Sequence, residues 1–359
     1  MLVQELAERK LVTPPKWLPS NVHYLVIMGS VAYGVSSDNS DQDIYGFAIP
    51  PKEDVFPHLR GEIPGFGRQK QRFQQWQEHH VHDPDAAGGK GTEYDFTVYS
   101  IVKYFQLCME NNPNMVDSLF VPERCVKHIS AVGKMVREKR RIFLHRGCWQ
   151  KFKGYAYSQL SKIQTKRKTA VVLRQIEEQL GIPHEITFDQ VEAEVLFRQD
   201  SPGMVSGAIL SNLSSAVLEA YYRTYKKGVE KSKRFEGVKH GGYDFKFAYH
   251  LVRLMCEVEQ ILVEGDLDIQ KNREQLKSIR RGEWELDRLI SWFENKEKVL
   301  DKVYVESKLP WGPDEAAIKQ LLLDCLEHHY GSLDKMQFHR EDEAVEALRQ
   351  VARLVEKWS

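Results

Sequence analysis

The hydrophobic period of this chain changes once, near residue 129, and that change constrains the fold more than any other feature. Before it, short apolar runs rich in β-branched and aromatic residues are broken by Gly and Pro; after it, apolar residues recur at helical spacing almost without interruption. Residues 22–28 (VHYLVIM) read as a buried strand that stops at Gly29. Residues 43–49 (DIYGFAI) read as a second strand, closed by Pro50-Pro51. Residues 71–82 (QRFQQWQEHHVH) alternate loosely, as an exposed strand does, and the loop DPDAAGGKG follows. EYDFTVYSI reads as a third strand running into a helix over 100–111, which Asn112-Pro113 ends. Helices are then expected over 130–145, 148–166, 188–200, 205–228, 244–264, 271–281, 283–303, 313–329 and 341–357. The pattern predicts an α+β chain: a small mixed β-sheet with flanking helices over 1–128, followed by a larger all-helical domain over 129–359.

At 42% hydrophobic and 28% charged residues, the composition is that of a globular protein rather than a disordered one. No apolar run is long enough to cross a bilayer, and MLVQELAERKLVTPPK does not read as a signal peptide. The five cysteines are scattered and form no CxxC pair, which argues against a disulfide framework or a structural zinc and predicts a cytoplasmic setting. The net charge of zero hides a segregation of signs. Residues 134–174 hold thirteen Lys or Arg against one acid, Glu138, and 177–200 hold seven acids against one base, Arg198.

Chemistry concentrates in MGSVAYGVSSDNSDQDIYGFAI, residues 28–49. A strand that ends in Gly-Ser and passes into a helix presents backbone N–H groups and a hydroxyl, an arrangement suited to phosphate. Gly29 permits close approach and Ser30 offers its hydroxyl. Asp41 and Asp43 start the next strand two residues apart, so both carboxylates point to one face. Side-by-side carboxylates repel unless a cation lies between them, and hard oxygen donors of this kind suit Mg²⁺ together with phosphate oxygens. The competing reading is a polar loop whose acids cap turns. A two-ion phosphoryl-transfer site needs a third carboxylate, and the third strand offers Asp95, with Glu93 in reserve on the same face.

Gly29-Ser30, then Asp41-x-Asp43 eleven residues on, then a later strand aspartate, resembles the signature of the polymerase-β-like nucleotidyltransferases. More narrowly, GSVAYG, SDQDIYG, NNPNMVDSLFVP, KGYAYSQL, YDFKFAYHLVRL and NREQLKSIRRGE are similar to blocks of the RNA-ligase-associated, RlaP-type group, over about residues 21–285. The resemblance implies a nucleotidyltransferase core followed by a helical domain that helps to hold the nucleotide. It implies that Gly29 and Ser30 bind phosphate and that Asp41, Asp43 and Asp95 are catalytic carboxylates holding two Mg²⁺ (or Mn²⁺) ions. Tyr33, Gly34 and Ser40 complete the expected nucleotide-binding set around the turn. Small antitoxin-type members carry GSRARG in the turn; Val31 and Tyr33 stand here instead, which points away from that chemistry.

On the helix 244–264, Lys246, His250, Arg253 and Glu257 share a stripe. It reads either as a solvated face or, with the group's YDFKFAYHLVRL block, as cleft cations (Lys246, His250, Arg253) that hold a triphosphate. Lys239 and His240 are weaker candidates of the same kind. The basic block carries Phe143, Trp149, Phe152, Tyr155 and Tyr157, a mixture that single-stranded RNA binding uses and that an amphipathic helix pair also produces. His79, His80, His82 and Asp83 lack zinc spacing and read as exposed strand and loop. The expected activity is transfer of an NMP from an NTP to an acceptor hydroxyl, with an RNA 3′ end, such as that of a tRNA under repair, as the acceptor and an RNA ligase or other repair enzyme as a partner. A protein or small-molecule acceptor, or a low-turnover nucleotide- or RNA-binding module, are the alternatives.

Overall fold

Strand β1 (Val22–Ile27) is buried at every position except His23, as befits the centre of a sheet covered on both faces. The computed structural model describes residues 1–36, 41–56, 63, 72–183, 213–230, 238 and 242–331, the side chains of 225 and 227–230 excepted. By its internal contacts the chain divides into two compact units, Met1–His145 with Pro310–Ser359, and Arg146–Leu309.

The first unit opens with α1 (Leu2–Glu8), then β1 and the single turn α2 (Gly29–Ala32). β2 (Gln42–Ala48), β3 (Gln75–Asp83) and β4 (Thr92–Ser100) follow, then α3 (Ile101–Met109), α4 (Pro113–Leu119), β5 (Val126–Ile129) and α5 (Ala131–Glu138). The five strands form one mixed sheet in the order β3-β4-β2-β1-β5. β2 and β4 are parallel, and the other neighbours are antiparallel. Caps follow the sequence chemistry: Ser100 accepts from the Lys103 N–H at the start of α3, and Asn112, with Pro113 behind it, caps α4.

The edge strand β3 is held from outside the sheet. Arg9, just past α1, makes a bidentate pair with Asp83 at 2.9 and 2.6 Å, and the Thr13 N–H donates to Glu78 Oε2 at 2.9 Å. The Arg9 guanidinium keeps the Asp83 carboxyl below its usual pKa.

The second unit is helical: α6 (Cys148–Leu180), α7 (Ser215–Glu230), α8 (Phe245–Glu264), α9 (Arg273–Arg280) and α10 (Leu286–Glu306). α6 packs mainly on α8, and α8 in turn on α9 and α10. Asp244 caps α8 by accepting the Lys246 and Phe247 N–H groups. α11 (Glu315–Tyr330) belongs again to the first unit, packed on α5 and α3. No helix among the described residues is long and apolar enough to cross a membrane.

Several expectations are corrected. The helix expected over 148–166 runs unbroken to Leu180, where Gly181 ends it in the left-handed conformation, because Ala170, Val171, Leu173 and Ile176 continue its buried stripe. The helix expected over 130–145 breaks after Glu138 into a 3₁₀ turn, Arg140–Phe143. The short α1, α4 and β5 have no counterpart in the periodicity reading, since elements of four to seven residues offer it too few repeats. The contacts divide the chain after His145, with α5 packed on β1 and β5. The helices expected over 188–200 and 341–357 lie outside the described residues.

α11 is tied to the sheet through a pair of histidines. His23 Nδ1 lies 2.7 Å from Ser130 Oγ, and its Nε2 lies 2.9 Å from His329 Nδ1. Ser130 Oγ also accepts the Gly133 N–H at 3.2 Å, so a hydrogen-bond chain runs from the α5 cap through His23 to α11. Burial, reinforced by His329, His128 and His328, lowers the His23 pKa to about 4. The unfolded chain therefore binds more protons than the folded one between the ordinary histidine pKa of about 6.5 and a pH of about 4, and stability falls as pH drops through that window. Thermal melts from pH 7.5 to 4 are expected to show the wild type losing more stability than His23→Gln over this range. Parallel curves would remove His23 as the cause.

Candidate active site

The site is built at one end of β1, β2 and β4. After Ile27 the Met28 N–H still donates to the Asp43 carbonyl at 2.7 Å, so the chain is held on β2 as it turns. Gly29 then takes a φ of +64°, in the left-handed region. The single turn α2 is closed by hydrogen bonds from Tyr33 N–H to Gly29 O and from Val35 N–H to Ser30 O, with Gly34 at a φ of +69°. Gly29 is required for a second reason: a Cβ placed on it would lie 2.0 Å from Asp43 Oδ2. The Asp43 carboxylate thus sits directly against the backbone of the Gly-Ser turn.

The parallel register sets Asp95 of β4 opposite Asp43 of β2, and Gln42 opposite Tyr94. Laterally paired residues share a face about 4.8 Å apart, so Asp43 and Asp95 are neighbours on one face of the sheet. Asp41, exposed just ahead of β2, follows that face by alternation. Two approaching carboxylates joined by a third make a site of concentrated negative charge. These hard oxygen donors fit Mg²⁺ or Mn²⁺. Among the described residues no three such side chains form a ready-made ion cage. A site that gains its remaining ligands from the phosphates of a nucleotide has this open form.

Tyr33 and Arg253 are placed differently from expectation. The Tyr33 ring is 2% exposed and its hydroxyl donates to Asp117 Oδ2 at 2.7 Å, so its side chain anchors the turn from below rather than meeting a phosphate. Asp117 is fully buried in α4, within the NNPNMVDSLFVP block, and its neighbour Ser118 holds Tyr24 and Tyr104. Sequence reasoning missed Asp117; an acid set within the otherwise apolar run around MVDSLFV was the available signal. Arg253 is 4% exposed and donates from Nη1 to both oxygens of Glu257 at 3.2 Å, so it forms a buried ion pair within α8 and not a cleft cation. Lys246 is exposed and His250 half-buried on the same helix, in the second unit. Ser40, Lys239 and His240 lie outside the described residues.

The histidines of β3 lie exposed on a strand, as expected, and two of them meet the carboxylates of β4. His80 Nδ1 lies 2.5 Å from Glu93 Oε1, His79 Nδ1 lies 3.5 Å from Asp95 Oδ1, and the His80 N–H donates to Asp95 Oδ1 at 2.8 Å. The His80 hydrogen bond to Glu93, with the charges of Asp95, Glu93 and Asp41, raises the imidazole pKa.

Several bases of the block pair with acids inside their own unit. In the first unit Arg137 pairs with Glu123 and Lys139 with Asp324; in the second, Lys153 pairs with Glu297 and Asp301, and Lys166 with Asp244. Of its aromatics, Phe143, Trp149 and Phe152 are core, while Tyr155 and Tyr157 are exposed, the latter donating to Glu297.

Residues 3–303 match the model of a protein family described as RlaP, the RNA repair pathway DNA polymerase beta family. An uncharacterized 38.9 kDa protein of Enterobacteria phage T4, from the nrdC–mobD intergenic region, is 26% identical over 152 residues, covering 41% of this chain and 40% of the phage protein. The alignment therefore spans about two fifths of that relative. No solved structure matches the chain.

Proposed function

The chain belongs to the RNA repair pathway DNA polymerase beta family, and on that premise we propose that it moves an NMP from an NTP to the 3′ hydroxyl of an RNA, releasing pyrophosphate. The observation that carries this reading is the lateral pairing of Asp43 with Asp95 beside a turn whose glycine the Asp43 carboxylate overlies. In this mechanism the backbone and hydroxyl of Gly29 and Ser30 hold the outer phosphates. Asp41 and Asp43 would hold divalent ions, Mg²⁺ or Mn²⁺, which would supply charge neutralisation at the α-phosphate and make the acceptor hydroxyl more acidic. Asp95 orients that hydroxyl and draws its proton as the oxygen attacks phosphorus. The bond between the α-phosphorus and its bridging oxygen breaks, and pyrophosphate leaves with the electron pair.

A second reading, the same transfer to a protein or small-molecule acceptor, is favoured by the intramolecular pairing of the basic block. The test incubates the protein with each α-labelled NTP, Mg²⁺ or Mn²⁺ and total RNA, at low and high salt. Label is expected in RNA, falling steeply with salt. The Asp41→Ala/Asp43→Ala variant is expected to lose at least about 10³-fold of it, the scale of removing several kcal/mol of transition-state stabilisation. Label in protein or metabolites alone would select the second reading, and no transfer to any acceptor would overturn both.

A further inference from the structure

The register of β3 on β4 slips at one place, between Glu78 and Val81. Glu78 faces Phe96 and Val81 faces Tyr94, so two residues of β3, His79 and His80, stand opposite the single residue Asp95. This is a β-bulge, a device that re-aims side chains and ends regular pairing. His80 takes a φ of +56°, unusual for a residue with a side chain. The conformation turns its N–H onto Asp95 Oδ1 at 2.8 Å, while its imidazole meets Glu93 and the His79 ring approaches the same Asp95 oxygen. The His80 N–H and the nearest approach of the His79 ring both fall on Asp95 Oδ1. Anchors bracket the bulge, Thr13 on Glu78 before it and Arg9 on Asp83 after it, so an exposed edge strand is held in this irregular form.

We propose that the His79–His80 bulge is a positioning element of the transfer reaction: it fixes Asp95 through Oδ1 so that Oδ2 is presented to the metal and acceptor hydroxyl. The inference rests on Asp95 being the third carboxylate of the proposed site. A hydrogen bond to a carboxylate is strong and directional, and a misplacement of about 1 Å in a reacting group costs on the order of 10²-fold in rate. The device gives two edge-strand histidines a role beside the carboxylates. The backbone N–H is the principal tether, and the imidazoles brace it.

The test compares His80→Val with His80→Gly in the full chain. A β-branched residue resists positive φ and pulls the bulge out of shape, whereas glycine adopts that φ and keeps the N–H. The readouts are Mn²⁺ titration of the free protein by electron paramagnetic resonance, and transfer kinetics. His80→Val is expected to weaken Mn²⁺ binding at least about fivefold and to lower kcat about 10–100-fold, with KM for NTP within about threefold. His80→Gly, which keeps the tether but loses the imidazole brace, is expected to lose at least about fivefold less than His80→Val in both readouts. Equal losses in the two variants, or none in either, would overturn the proposal. Hydrogen–deuterium exchange covers the case in which His80→Val does not fold. Asp95→Ala is expected to speed exchange at the His80 amide by about tenfold or more, and an unchanged rate would overturn the tether. If wild type binds no Mn²⁺ and transfers no nucleotide, the nucleotidyl-transfer reading fails, whereas the exchange result still reports on the tether itself.

Discussion

Gly29→Ala is expected to lower nucleotide transfer by at least about 10²-fold while leaving the protein folded, because it strikes both the turn and Asp43. Alanine at a φ of +64° costs about 1–2 kcal/mol of backbone strain. That cost alone lowers the melting temperature by a few degrees and has no reason to abolish activity. The larger effect is steric: the new Cβ would lie 2.0 Å from Asp43 Oδ2, so the carboxylate has to move. Gly88→Ala separates the two effects, since Gly88 has a φ of +69° with nothing within 4 Å of its would-be Cβ. The control is expected to show comparable strain with activity within about threefold of wild type. Steady-state kinetics and melting curves on both variants check this. Similar activity losses at the two positions would remove the Asp43 contact as the cause.

Arg253→Ala is expected to destabilise the second unit by about 3–5 kcal/mol, because it strips the cation from a carboxylate that is itself 2% exposed. The double variant Arg253→Met/Glu257→Met removes both charges at similar volume and is expected to recover most of that loss. Where the variants remain folded, KM for NTP is expected within about threefold of wild type. Urea unfolding and NTP titration decide between the roles. A tenfold rise in KM with stability unchanged would return Arg253 to the nucleotide.

Both predictions turn on facts that the sequence pattern held only in part. The Gly-Ser turn, the strands around it and the two-residue spacing of Asp41 and Asp43 were legible, since turn chemistry and strand alternation are local properties. Asp95 was legible as a candidate because a third carboxylate was needed and its strand was plain; its place opposite Asp43 is a matter of register. The α8 stripe shows the opposite outcome. Lys246, His250, Arg253 and Glu257 have helical spacing, but spacing does not say where a helix face dips into the core, and the stripe passes from exposed Lys246 to buried Arg253 within two turns. The meeting of His79 and His80 with one carboxylate was not legible, because alternation predicts opposite faces only in a regular strand and the bulge breaks that rule.

By itself the sequence determined the class of the fold, the strand–turn–strand frame of the site and its first two carboxylates, because hydrophobic period, Gly-Ser turn chemistry and the pleat act over a few residues. Tertiary structure decided which distant groups meet: Asp95 beside Asp43, Asp117 beneath Tyr33, His79 and His80 against Asp95, and Lys139 with Asp324. Those pairings depend on register and packing between segments some fifteen to over a hundred and eighty residues apart, and no local pattern encodes them.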